Sequence, residues 1–257
     1  RFVMAALNIA RILCIAVVLA LAGTACSSVS AAHPGSGYAA WLRGVAQEAV
    51  ADGISPATVD AALGPAMIDA RVLELDQKQP EKTATFEQYS RRIVSPERVE
   101  EGRSLLDSHG DELKIIAARY GVQPQVIVAL WGIESSFGAD SGHYGIIDSL
   151  VTLAYQGRRS DLFRKELIEA LRILDQEHIP PEALRGSWAG AMGQCQFMPS
   201  TYLRYAVDYD RDGRRDIWDN RDDVWASIAN YLSAEGWSPD LSWGREVGAG
   251  GGVDASE

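Results

Sequence analysis

Cysteine is scarce in this chain: Cys14, Cys26 and Cys195 are the three among 257 residues. The first lies inside an N-terminal apolar run and the second at its edge. Cleavage removes both and acylation would block Cys26, so Cys195 is left as the one free thiol, with no partner for an internal disulfide. Cationic excess is lacking too. The 24 Lys and Arg face 35 Asp and Glu, a formal charge of −11, the reverse of what a surface for nucleic-acid phosphates needs. There is no glycine-rich phosphate loop, and none of the four histidines stands at zinc-ligand spacing from Cys195. No self-similarity recurs at the 20–50-residue periods of repeat proteins. No stretch alternates at period two for more than a few residues. What remains is an ordinary globular composition, 47% apolar and 23% charged, which excludes disordered and collagen-like chains.

The N-terminus stands apart. It carries Arg1 and Arg11, no acidic residue before Cys26, and the apolar run Ile12 to Ala22. Eleven apolar residues suit a signal-peptide core and fall short of the roughly 20 that a spanning helix requires. Two outcomes are open. Cleavage near Ala31 or Ala32 would release the chain, and acylation of Cys26 would tether it to a membrane, although Gly23 stands where a lipobox expects a Leu-like residue. Either way the chain is exported to the periplasm or cell envelope. Residues 1–31 are taken as leader.

Downstream the periodicity is helical. Trp41, Val45 and Ala49 recur at helix spacing, and Ser55-Pro56 caps and opens a helix over Ala57 to Leu63. Further helices are expected over 85–93, over a long amphipathic stretch from Pro96 to Tyr120, and over 126–135, 161–177 and 222–235. The class is mainly α. Residues 32–95 form an N-terminal helical part, 96–247 the core, and 248–257 a flexible glycine-rich tail.

Three segments carry chemistry. In Val126 to Gly138, Glu134 follows Ile127 by seven residues, Leu130 by four and Trp131 by three, which sets its carboxylate on the apolar face of a helix and near its C-terminus. Burial and the helix dipole both disfavour its charge, so its pKa should rise into the range of a general acid. The competing reading is a Glu neutralised by an arginine. Gly186 to Ser200 interleaves three glycines with Trp188, Met192, Phe197 and polar amides, a composition for a cleft wall that a sugar ring approaches closely, or for a tight core loop. Asp208 to Asp219 places carboxylates at positions 1, 3, 5, 9 and 12 of a calcium loop with Gly213 at position 6. Asp219 replaces the usual Glu and Arg215 an apolar residue. An acidic loop offset by Arg211, Arg214 and Arg215 is the alternative. His143 reads as a loop residue and Cys195 as a small cleft residue.

Together these segments resemble the lytic murein transglycosylase B family, enzymes with a lysozyme-like core, from about Tyr38 to Val247. The resemblance rests on Trp131-Gly132-Ile133-Glu134-Ser135, Leu153 to Arg159, Gly186 to Ser200, Asp208 to Trp218, Ala229 to Leu232 and Gly236-Trp237. It implies a lysozyme-like helical core with an EF-hand-like calcium loop. It makes Glu134 the single catalytic acid/base and puts Ser187, Gln196 and Tyr231 at sugar subsites. Calcium would be held by Asp208, Asp210, Asp212, the carbonyl of Arg214, and Asp219. The implied reaction cleaves the β-1,4 bond between N-acetylmuramic acid and N-acetylglucosamine and leaves a 1,6-anhydro end. Peptidoglycan strands are the implied partner of a monomeric protein with no organic cofactor. Family members continue beyond the match to Trp243 to Val247 with a segment that completes the core and contacts substrate; here the sequence turns to glycine. Two other outcomes therefore stay open: a peptidoglycan binder without catalysis, and a hydrolytic muramidase with Asp140 or Asp148 positioning water.

Overall fold

The computed structural model describes residues 36–78 and 85–240. The expected leader with Cys26, the tail over 248–257 and the matched Trp243 to Val247 lie outside the described residues. Among those described, no helix is long and apolar enough to cross a membrane.

The described chain is helical almost throughout. Helices α1 (Ser36–Ala51), α2 (Pro56–Leu63) and α3 (Ala70–Lys78) come first. The Ser55 hydroxyl accepts the Thr58 N–H at 3.2 Å with Pro56 at the first helical position, as the sequence predicts. Helix α4 (Phe86–Ile93) opens on a capping box between Thr85 and Gln88. The long stretch expected over 96–120 is two helices, α5 (Pro96–Ser108) and α6 (Gly110–Tyr120). The break falls at His109, whose φ of −120° leaves the helical well. Its ring packs on Trp225 at 5.5 Å, and Gly110, a poor helix former, follows it.

Helix α7 (Pro124–Ser135) leads to a minimal two-stranded sheet, β1 (Tyr144–Gly145) antiparallel to β2 (Arg185–Gly186) with Tyr144 opposite Gly186. Between the strands run α8 (Ile146–Gln156) and α9 (Ser160–Glu177). The sequence reading passed over α8, although Ile146, Ile147, Leu150, Val151, Leu153 and Ala154 share one helix face; Ser149 and Thr152 on the opposite face are buried as well. Helices α10 (Pro199–Tyr205) and α11 (Arg221–Ala234) complete the described fold.

The core runs from α8 and α9 outward to α6, α7 and α11. Trp225 of α11 is 1% exposed and meets Trp131 of α7 edge to face, centroids 5.6 Å apart. Burying side chains of this size contributes about 1.5–3 kcal/mol each, and this contact presses α11 against the helix that carries Glu134.

Candidate active site

Glu134 is the penultimate residue of α7. The chain then reverses through two left-handed residues, Ser136 (φ 50°) and Phe137 (φ 58°), and the Phe137 ring folds back edge-on to Trp131, centroids 5.5 Å apart. That ring lies on Gly132, where a β-carbon would stand 2.6 Å from its atoms; only glycine leaves the space. The helix end, and Glu134 with it, is held by this fold-back.

The Glu134 side chain is partly buried. With Leu130, Cys195, Gln196, Phe197, Met198, Thr201, Ile228 and Tyr231 it lines a groove whose enclosed floor is about 50 Å³, room for a few waters and less than a sugar ring. No hydrogen bond or ion pair from the described residues reaches its carboxylate, so the reading of a Glu neutralised by an arginine does not apply. Burial alone raises its pKa from 4.5 to about 7. Among the residues lining this groove Glu134 is the single carboxylate.

Of the predicted sugar contacts, Gln196 and Tyr231 line the same groove and Ser187 does not. Gln196 adopts φ +49° and spends its amide N–H groups on the carbonyls of Ser141 at 3.0 Å and Gly193 at 2.9 Å. Its carbonyl oxygen takes no described bond. Tyr231 packs on Phe197 and Tyr205, and burial raises its phenol pKa. The Ser187 hydroxyl accepts the Ala191 N–H at 3.1 Å within its own turn. Cys195 lines the groove as a thiol, pushed well up in pKa by burial. Asp140 is exposed and Asp148 accepts the Met67 N–H at 3.0 Å; neither lines the groove.

The acidic loop divides. Asp208, Asp210 and Asp212 bring ligand oxygens within 4.8 Å of one another. Asp216 instead accepts the N–H groups of Trp218 and Asp219, and Asp219 stands outside the cluster. Arg214 donates its N–H to Asp212 at 2.8 Å. Arg215, one of the cations offered to offset the loop, pairs instead with Glu177 at 2.5 Å. Three close carboxylates without an ion pair among the described residues make a donor set that fits a hard divalent cation. Sequence reading missed Asp223. It is fully buried, accepts the N–H groups of Tyr209 at 2.7 Å and Asp216 at 2.8 Å, and so ties the loop's ends to α11. Burial, with Asp210 and Asp208 nearby, pushes its pKa up to about 6. Ile228 and Thr201 were missed as well; only the three-residue step from Ile228 to Tyr231 on one helix face hints at the first.

Such a helical domain carries one unpaired carboxylate at a helix end above a groove of mixed apolar and polar lining. The chain belongs to the transglycosylase SLT domain family, whose sequence pattern matches residues 37–257. It is 39% identical over 150 residues to the membrane-bound lytic murein transglycosylase B of Escherichia coli K12, covering 58% of this chain and 41% of that protein. Its fold is similar to SltB3 of Pseudomonas aeruginosa, solved with NAG-NAM-pentapeptide, at TM-score 0.81 and 43% identity over 86% of this chain and 59% of that one. The Escherichia coli lytic transglycosylase Slt35, solved with calcium, superposes at TM-score 0.70 and 33% identity, over 78% and 64% of the respective chains. The chain thus spans less than two thirds of the length of these relatives.

Proposed function

We propose that this protein is a lytic transglycosylase of peptidoglycan with Glu134 as its single acid/base. The observation that carries the reading is the lone carboxylate of the groove, raised to about 7 by burial and free of described partners. A glycosidase that uses water or a covalent intermediate needs two carboxylates. One suffices when the nucleophile belongs to the substrate. Glu134, protonated, gives its proton to the glycosidic oxygen as the bond from C1 of N-acetylmuramic acid breaks. The resulting carboxylate then takes the proton of the muramyl C6 hydroxyl as that oxygen bonds to C1, closing a 1,6-anhydro ring. The residue ends as it began, and no water is consumed. A pKa near neutrality suits both halves of the cycle. Gln196 and Tyr231 would bind the sugars beside Glu134, and Ser187 would meet the glycan farther along the strand.

Ca²⁺ is proposed for the acidic loop, held by Asp208, Asp210 and Asp212 with the Arg214 carbonyl and Asp219 completing the shell. It would supply charge that lets the carboxylates lie together, and no step of the reaction passes through it. We also propose export of a monomer to the cell envelope, released near Ala31 or Ala32 or held by a lipid at Cys26, with residues 32–95 and 96–247 as successive parts of one catalytic domain. The test is Glu134→Gln on purified glycan strands: cleavage is lost while the protein still pellets with the glycan. Turnover near wild type would remove Glu134 from the acid/base role.

A further inference from the structure

Gln194 is nine-tenths buried and joins three parts of the molecule. Its side-chain oxygen accepts the indole N–H of Trp131 on α7 at 2.8 Å. Its amide nitrogen donates to the Trp218 carbonyl at the end of the acidic loop at 2.5 Å, and its backbone N–H to the Ile217 carbonyl at 2.8 Å. Cys195 to Met198, the groove wall facing Glu134, follow directly in the chain. The fit is close: Gly138, just past the fold-back, has φ +88°, and a β-carbon there would stand 2.4 Å from the Gln194 side-chain oxygen.

Trp131 lies three residues before Glu134 on one helix face. A bond that fixes where the Trp131 indole points also fixes the roll of α7. A roll of about 10° at a side-chain radius of about 5–6 Å moves a carboxylate by about 1 Å. A misplacement of that size costs on the order of a hundredfold in rate.

We propose that Gln194 is a positioning residue for Glu134: by receiving the Trp131 N–H and holding the Trp218 carbonyl, it locks the roll of α7 and so the place of the carboxylate above the groove wall. The inference rests on Glu134 acting as the acid/base. Gln194→Met keeps the volume and removes both side-chain bonds. Trp131→Phe removes the N–H from the other side.

The experiment compares Gln194→Met, Trp131→Phe, the double variant and Glu134→Gln on purified glycan strands, well below each unfolding midpoint. Each single variant loses between about tenfold and a hundredfold in kcat with KM within about twofold of wild type, the pattern of a lost transition-state interaction. The double variant is no slower than the slower single one, since both remove the same bond. The alkaline limb of the pH–rate profile moves to lower pH as the carboxyl gains water, a shift that a role in stability alone would not produce. Should Gln194→Met fail to fold, the kcat and pH limb of Trp131→Phe decide the matter. Wild-type kcat in the single variants beside an inactive Glu134→Gln overturns the positioning role and leaves the acid/base intact, and multiplying losses in the double variant overturn it too. An active Glu134→Gln removes the acid/base reading and this inference with it.

Discussion

The buried carboxyl of Glu134 should cost the protein stability, and the cost should depend on pH in a defined direction. In the unfolded chain the group titrates near 4.5, and in the folded groove near 7. Between those values the folded protein keeps a proton that the unfolded chain releases, so stability falls as pH rises through the window and levels off above it. Each unit is worth about 1.4 kcal/mol, and the cost reaches about 3 kcal/mol at most, since the groove admits water to part of the group. Against a total stability of about 5–15 kcal/mol this is a large fraction. Glu134→Gln keeps the shape and removes the charge. The variant should match wild type at about pH 4 and exceed it by up to about 3 kcal/mol at about pH 8. The assay is urea unfolding of both proteins across that range, read as a shift in midpoint at constant m. A stability difference that stays flat across pH would refute the account of Glu134 as a desolvated carboxyl, whatever the variant does to catalysis.

Further expectations concern the frame around it. Gly132→Ala sets a β-carbon 2.6 Å from the Phe137 ring and should cost about 1–3 kcal/mol as an overpacked site, measured by thermal unfolding; an unchanged midpoint would mean the fold-back yields freely. Glu166, 7% exposed, accepts the Ser200 N–H at 2.9 Å and its hydroxyl at 2.7 Å, and so caps α10 behind the groove wall. Glu166→Ala should cost about 1–3 kcal/mol for the stranded donors, with Glu166→Gln restoring most of it. Added Ca²⁺ should raise the melting temperature of wild type, by the equivalent of about 2.7 kcal/mol at a hundredfold excess over Kd, and Asp210→Ala should abolish the rise. A melting curve indifferent to Ca²⁺ would remove the cation from the account.

What the sequence made legible follows from periodicity. Helices with one wet face, such as α1, α7 and α9, announce themselves, and Ser55-Pro56 marks its cap by residue type alone. Glu134 was visible because a charged residue on an apolar face breaks the pattern it sits in. Helix α8 was legible in the same way, through Ile146, Ile147, Leu150, Val151 and Ala154 on one face, yet went unread, and α10 was invisible because seven residues are too few to show a period. The break at His109 depends on Trp225 and Arg221, more than a hundred residues away, and no local rule anticipates it. The acidic loop is a mixed case. Spacing found the cluster of Asp208, Asp210 and Asp212, while the direction of Asp219 and the buried role of Asp223 depend on where α11 lies. Gln194 looks like any polar residue in a glycine-rich turn until its bonds to Trp131 and Trp218 are seen.

The central claim is that one carboxylate cleaves the glycan through the substrate's own hydroxyl. Mass spectrometry of the soluble products from purified peptidoglycan tests it most directly. The account predicts muropeptides lighter by one water than hydrolytic products and lacking a reducible muramic end. Reducing ends would contradict it and point to a water-activating muramidase, and intact glycan that pellets with the protein would mean a binder without catalysis.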